Sequence, residues 1–194
     1  DIDGVKVNWI RTLKYKNANS IRRILSWFDF EYRVWRRTKL AIEKPDVIIA
    51  SSLSLLSIFS GILLRKRFKC MLIIEIRDIW PLVLYEEGGF SPNNPLVRML
   101  GWVERLGYAK ADRIVGTMPN LGEHVQKVLG YAKPTYCVPM GVDEELLEIN
   151  TSLPKEYPET YIPKDKFIVC HAGTIGVTNA LDTFFECART MQDI

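Results

Sequence analysis

Two stretches of the chain gather residue types that can do chemistry. In Ile73-Ile74-Glu75-Ile76-Arg77-Asp78-Ile79-Trp80-Pro81, an apolar run ends on charged and aromatic side chains. Asp78 is the candidate catalytic carboxylate, with Arg77 and Trp80 beside it as candidate substrate contacts. A strand-end ion pair capping a loop would use the same residues. Glu75, inside the apolar run, calls for a partner, because a buried carboxylate without one is costly. In the second stretch, the run Phe167–Cys170 leads into His171-Ala172-Gly173-Thr174-Ile175-Gly176, and a helix is expected from Thr178 or Asn179. Small residues ahead of a helix N-terminus expose backbone N–H groups where the helix dipole favours anions. Gly173, Thr174 and Gly176 are therefore candidate phosphate contacts, a tight turn being the plain alternative. His171 stands at the strand end as a further candidate contact.

The other histidine, His124, lies in a helical segment without an acidic or cysteine neighbour at ligand spacing and is expected at the surface. Cys70, Cys137, Cys170 and Cys187 form neither a Cys-x-x-Cys pair nor a His/Cys ligand set. No metal site and no disulfide framework are expected, and the thiols are read as buried and reduced.

A third group is basic. The net charge of +3 carries no nucleic-acid signature, but residues 10–40 hold nine Lys or Arg against Asp29 and Glu31. On a helix, Arg22, Arg23, Arg33, Arg36 and Arg37 share one arc, with Trp27, Phe30 and Val34 as an apolar ridge along it. A solvated basic face is one reading. Contact of Arg22, Arg23, Trp27, Phe30, Arg33 and Arg37 with an anionic membrane surface is the sharper one, since basic and aromatic residues together suit a headgroup layer.

The elements that must position these groups alternate. Val5, Val7 and Trp9 suggest a strand, and Ser20–Lys44 a helix burying Ile21, Ile24, Leu25, Phe28, Tyr32, Trp35 and Ile42. Strands are expected at Asp46–Ala50, Phe68–Ile76, Asp112–Gly116 and Thr135–Pro139, and helices at Leu53–Leu64, Leu96–Lys110 and Leu121–Leu129. Arg77–Asn94 is expected to be a long loop. Val47–Leu64 is 18 residues without a charge, but five are Ser and one is Gly, so a strand and a Ser51- or Ser52-capped helix fit better than a membrane span. Strand–helix alternation predicts an α/β fold, a parallel sheet with helices on both faces. Ligands sit at the C-terminal edge of such sheets, which brings Ser51, Ser52, Arg77, Asp78 and Trp80 together. The expected organisation is a first domain over 1–143, a polar linker over 144–165, and the first β/α unit of a second domain over 166–194.

In order along residues 45–190, these motifs resemble the family 4 retaining glycosyltransferases of the GT-B fold, the bacterial cell-surface polysaccharide branch in particular. The resemblance rests on Glu75-Ile-Arg77-Asp78-Ile-Trp80-Pro81, on Glu104 followed by Ala111-Asp112-Arg113-Ile114-Val115, on Val138-Pro139-Met140-Gly141-Val142-Asp143, and on His171-Ala-Gly173-Thr-Ile-Gly176 with Ala180-Leu181-Asp182. It implies two Rossmann-like domains facing a cleft. The first, with Ser51, Ser52, Arg77 and Trp80, would hold the acceptor, and Asp78 would face the reacting sugar. The second, with Gly173, Thr174, Gly176 and His171, would hold a nucleotide-diphosphate sugar, with no obligatory metal or cofactor. Gly141 and Asp143 would form the inter-domain turn. The resemblance further implies a glycan or polyprenyl-linked acceptor and a cytoplasmic enzyme peripheral to the inner membrane. The family's first glycine-rich strand–loop would lie upstream of Asp1, and its basic pair and E-x7-E segment beyond Ile194. The 194-residue chain by itself is thus expected to be inactive. A GT-B sugar-nucleotide epimerase needs a cleft rich in His and carboxylates, which two histidines serve poorly. A free-standing membrane- or partner-binding module is the non-enzymatic alternative.

Overall fold

The computed structural model describes residues 1–194 except positions 3, 17–19, 41–42, 53, 87–88, 149–153, 155, 166, 174–180 and 192–194. The chain divides into two compact units, Asp1–Met140 and Gly141–Ile194.

The first unit is built on four short runs that become strands β1 (Val47–Ser51), β2 (Met71–Ile76), β3 (Arg113–Gly116) and β4 (Thr135–Cys137). They form a parallel sheet in the order β1-β2-β3-β4, with Ala50 beside Ile74 and Ile74 beside Ile114. Each connection needs a helical crossover. These are α2 (Ser57–Phe68), α4 (Pro95–Lys110), preceded by the short α3 (Leu82–Glu86), and α5 (Leu121–Leu129). Local chemistry sets their ends. The Asn94 side chain accepts a hydrogen bond from the Leu96 N–H at 2.9 Å, and Pro95 occupies the first turn, where its missing N–H costs nothing. Gly130, at φ 84°, closes α5 in the left-handed conformation that suits glycine.

Ile58, Leu72, Ile74, Ile114, Leu121 and Val125 form the core between these helices and one face of the sheet. Burying each such side chain is worth about 1.5–3 kcal/mol. Gly107 lets α4 approach: a Cβ there would lie 2.8 Å from Ile58 Cδ1.

Several expectations are corrected. The helices that pack on the sheet cover the face of Ala50, Ile74 and Ile114, whereas the opposite face leaves Val47, Met71, Tyr136 and Ile49 (65 % accessible) exposed. Among the described residues, the helices of this unit thus pack on one face of the sheet. Val5, Val7 and Trp9 form no strand; an isolated bridge joins Ile2 and Val5. Helix α2 starts later than expected, because the Ser57 hydroxyl donates to the carbonyls of Ser51 (2.6 Å) and Ser54 (2.8 Å), fastening an intervening loop. The basic helix α1 (Ile21–Thr38) ends before Lys44, where Arg67 of α2 donates to the carbonyls of Thr38 and Lys39. It packs on α2. That rotates its expected buried face outward: Leu25, Phe28, Tyr32 and Trp35 are exposed. Ile42 lies outside the described residues, as do the side chains of Ile21 and Ile24.

The second unit contains helices α6 (Glu144–Glu148), α7 (Glu156–Tyr161) and α8 (Leu181–Thr190), so the expected linker is partly helical. Phe167–Cys170 is not a strand, and Phe167 is 95 % accessible. An apolar run becomes a strand only with a neighbour to pair with, and among the described residues it has none.

Candidate active site

Four segments end on the C-terminal edge of the first unit's sheet. Ser52, just past β1, is fully buried; its N–H donates to the Glu75 carbonyl (2.8 Å) and its hydroxyl accepts from the Arg77 N–H (3.2 Å). Ser52 thus ties the end of β1 to the Arg77-Asp78 turn.

That tie leaves the Asp78 side chain exposed at the sheet edge, with the Asp78 carbonyl accepting from the Trp80 N–H at 3.1 Å. The Trp80–Pro81 peptide is cis. The Trp80 indole packs half-buried against the core. Glu75 finds its partner in Arg77: Nε lies 3.6 Å from Oε1. Both side chains are part-exposed, so this contact adds little to stability; its effect is to keep the guanidinium at the edge. At the end of β3, a Cβ on Gly116 would lie 2.8 Å from the Ile76 carbonyl oxygen, a backbone contact that only glycine avoids.

Asp78, Trp80 and Ser51 lie on the wall of one cavity of about 740 Å³. The facing wall is α1, which contributes Arg23, Trp27, Phe30, Glu31 and Val34. Three residues expected at a membrane surface, Arg23, Trp27 and Phe30, therefore line the same cavity as the candidate catalytic carboxylate. The other three point elsewhere: Arg33 Nε pairs with Asp29 at 2.8 Å, Arg37 donates to Asn8 at 2.7 Å, and Arg22 is exposed.

Sequence reasoning passed over two residues here. Glu31 takes a hydrogen bond from the Ser60 hydroxyl through Oε2, while its other oxygen, Oε1, is buried without a partner; the buried Ser54 hydroxyl also lacks one. Both line this cavity. Burial raises the Glu31 carboxyl above its ordinary value, an effect the Ser60 hydrogen bond partly offsets. The signal was there to find: Glu31 falls at helical spacing from Trp27 and Val34, an acid in an otherwise apolar stripe.

His124 is corrected from a surface residue to a half-buried one. Its Nε2 lies 2.7 Å from Oε1 of the buried Glu104, joining α5 to α4 beneath the Tyr108 ring. It takes no part in the sheet edge. The thiols are free, but Cys137, Cys170 and Cys187 are exposed, not buried. Among the described residues no group of three or more His, Cys, Asp or Glu could hold a metal ion.

In the second unit, Asp143 accepts a hydrogen bond from the Glu145 N–H at 3.0 Å and so caps α6. Gly141 is exposed, with open space where a Cβ would stand. His171 is exposed and its ring folds over Gly173, whose Cβ would meet Nε2 at 2.9 Å. Thr174 and Gly176 lie outside the described residues.

An α/β unit with a carboxylate, a guanidinium and an indole on the C-terminal edge of a parallel sheet has a Rossmann-like build, with its polar groups where such sheets bind ligands. Residues 2–141 match the sequence model of the glycosyl transferase 4-like domain, and the chain belongs to that family. Sugar transfer is the class of chemistry that such a domain serves. A comparison with curated proteins finds no match.

Proposed function

We propose that Asp1–Met140 is the acceptor-side half of a retaining glycosyltransferase of bacterial cell-surface polysaccharide synthesis. It would act on a glycan or polyprenyl-linked acceptor at the cytoplasmic face of the inner membrane. The observation that carries this reading is the placement of Asp78, Trp80 and Ser51 on one cavity at the sheet edge. Asp78 would face the reacting sugar and stabilise positive charge developing there, while Trp80 and Ser51 orient the acceptor; Arg77 offers a cation to an acceptor phosphate. The donor, a nucleotide-diphosphate sugar, would be held by His171, Gly173, Thr174 and Gly176 of the second unit, with Gly141 and Asp143 as the inter-domain turn. Protein groups would neutralise the departing diphosphate, with no metal required.

The test is transfer from radiolabelled nucleotide sugars to membrane-extracted acceptor by the full gene product that contains residues 1–194. Asp78→Asn should lower the rate by roughly 100-fold or more, with the melting temperature unchanged because the side chain is exposed. Full activity in that variant would remove Asp78 from the mechanism. The 194-residue chain by itself should show no transfer, since the run leading to its donor loop is exposed and unpaired among the described residues.

A further inference from the structure

Two polar groups of the cavity wall are left incomplete. The Ser60 hydroxyl donates to Glu31 Oε2, which fixes the carboxylate, while Oε1 is buried without a partner. On the wall built between β1 and α2, the Ser54 hydroxyl is also buried without one; Ser57 donates to the Ser54 carbonyl, not to its side chain. Glu31 and Ser54 both line the cavity of about 740 Å³, a size ordinary for a small-molecule site. Beside Glu31 on α1 stand Trp27, Phe30 and Val34, with Trp27 and Phe30 37 % and 39 % accessible. A buried polar group without a partner is costly, and a ligand that completes it recovers that cost.

We propose that this cavity holds an acceptor sugar carrying an N-acyl group: the amide N–H donates to Glu31, the amide carbonyl accepts from Ser54, and the acyl methyl rests on the apolar side chains of α1. This rests on the reading of Asp1–Met140 as an acceptor-side half and adds what that half selects. The inventory of donors and acceptors decides the class. An ionised carboxylate only accepts, and a serine hydroxyl can donate, so the pair calls for one donor and one acceptor. A secondary amide supplies both on one rigid plane and brings a methyl for Trp27, Phe30 and Val34. A hydroxyl at the same carbon brings no apolar surface to these three side chains. An ammonium group has nothing to accept the Ser54 hydrogen, and Arg23 on the same cavity opposes its charge. Asp78 lines the cavity too, so a sugar held by its amide shares it with the candidate catalytic carboxylate.

The experiment measures binding of methyl glycosides to the intact 194-residue chain at about pH 8, where the carboxylate is ionised. Tryptophan fluorescence reads it through Trp27 and Trp80 on the cavity wall, and saturation-transfer NMR reads it from the ligand. Methyl N-acetylglucosaminide or methyl N-acetylgalactosaminide should bind about tenfold or more tightly than the methyl glucoside or galactoside, which carry a hydroxyl in place of the amide, because polar groups left unpaired penalise the wrong ligand. Saturation should be strongest at the acetyl methyl. Glu31→Leu and Ser54→Ala should each remove the preference, while Phe28→Ala, on an exposed side of α1, should keep it. Circular dichroism checks folding, and Ser54→Ala carries the test should Glu31→Leu unfold. Equal binding of amide and hydroxyl sugars, no binding of any, a wild-type preference in either folded variant, or tighter binding of methyl glucosaminide, with its free amine, would overturn the proposal. So would tighter binding of uridine-diphosphate N-acetylglucosamine that Ser54→Ala abolishes, which would assign the cavity to the donor sugar. The expected sugar preference without any transfer by the full gene product would count against the transferase reading alone.

Discussion

Glu31 sits where its charge is poorly served, with one oxygen on Ser60 and the other buried without a partner. Burial raises its carboxyl above the ordinary value of 4.5. An acid raised by folding penalises the native state while ionised. The penalty is complete above the raised folded value, fades as pH falls through it, and is gone below 4.5. Glu31→Gln keeps an acceptor for Ser60 and removes the charge. It should raise the melting temperature at about pH 8 and make no difference near pH 4, which differential scanning fluorimetry across pH can read. A gain that persists at low pH would mean that the stabilisation is not electrostatic. Glu31 was missed in the sequence because an acid among arginines reads as a surface ion pair. The fold alone turned it toward α2. Ser52 was noticed for its position after a strand, but its hydroxyl is used inside the protein, which no local pattern reveals.

Among the elements, α4 and α5 are joined by Glu104 and His124, 2.7 Å apart. Burial raises the Tyr108 phenol strongly, and Glu104 adds to the effect through its charge and a hydrogen bond. His124→Ala strands a buried carboxylate oxygen and should cost about 1–3 kcal/mol, seen as a lower urea midpoint. Adding Glu104→Gln should recover part of the loss, because the stranded charge is then gone. The spans of α4 and α5 were legible in the sequence as the expected helices Leu96–Lys110 and Leu121–Leu129. The pairing of two residues 20 positions apart was not. Helix α1 shows the same divide. Its amphipathicity was plain, but it carries two apolar stripes, and the sequence gives no reason to turn one rather than the other toward the cavity. The Ser60 and Arg67 contacts with α2 choose between them.

For the whole molecule, the two units differ in how their apolar runs are satisfied. Ile74 and Ile114 are fully buried between paired strands and helices, whereas Ile168 and Val169 are exposed outside any strand. Amide hydrogen exchange should therefore be slowest at Ile74 and Ile114 and complete within seconds at Ile168 and Val169. Protection of the latter pair comparable to that of the sheet would mean that a strand forms there in solution.

What the residues determined by themselves is periodic and local: the apolar runs of the four strands, the helices between them, and hence a parallel α/β sheet whose C-terminal edge carries Asp78, Trp80 and Ser51. These follow from side-chain spacing and backbone sterics, which act over a few positions. The tertiary structure decided which side of α1 faces the cavity, that the helices among the described residues pack on one face of the sheet, that His124 is half-buried against Glu104, and that Phe167–Cys170 is not a strand. Each of these depends on which distant surface is available to be buried, and burial is a property of the assembled fold rather than of any stretch of sequence.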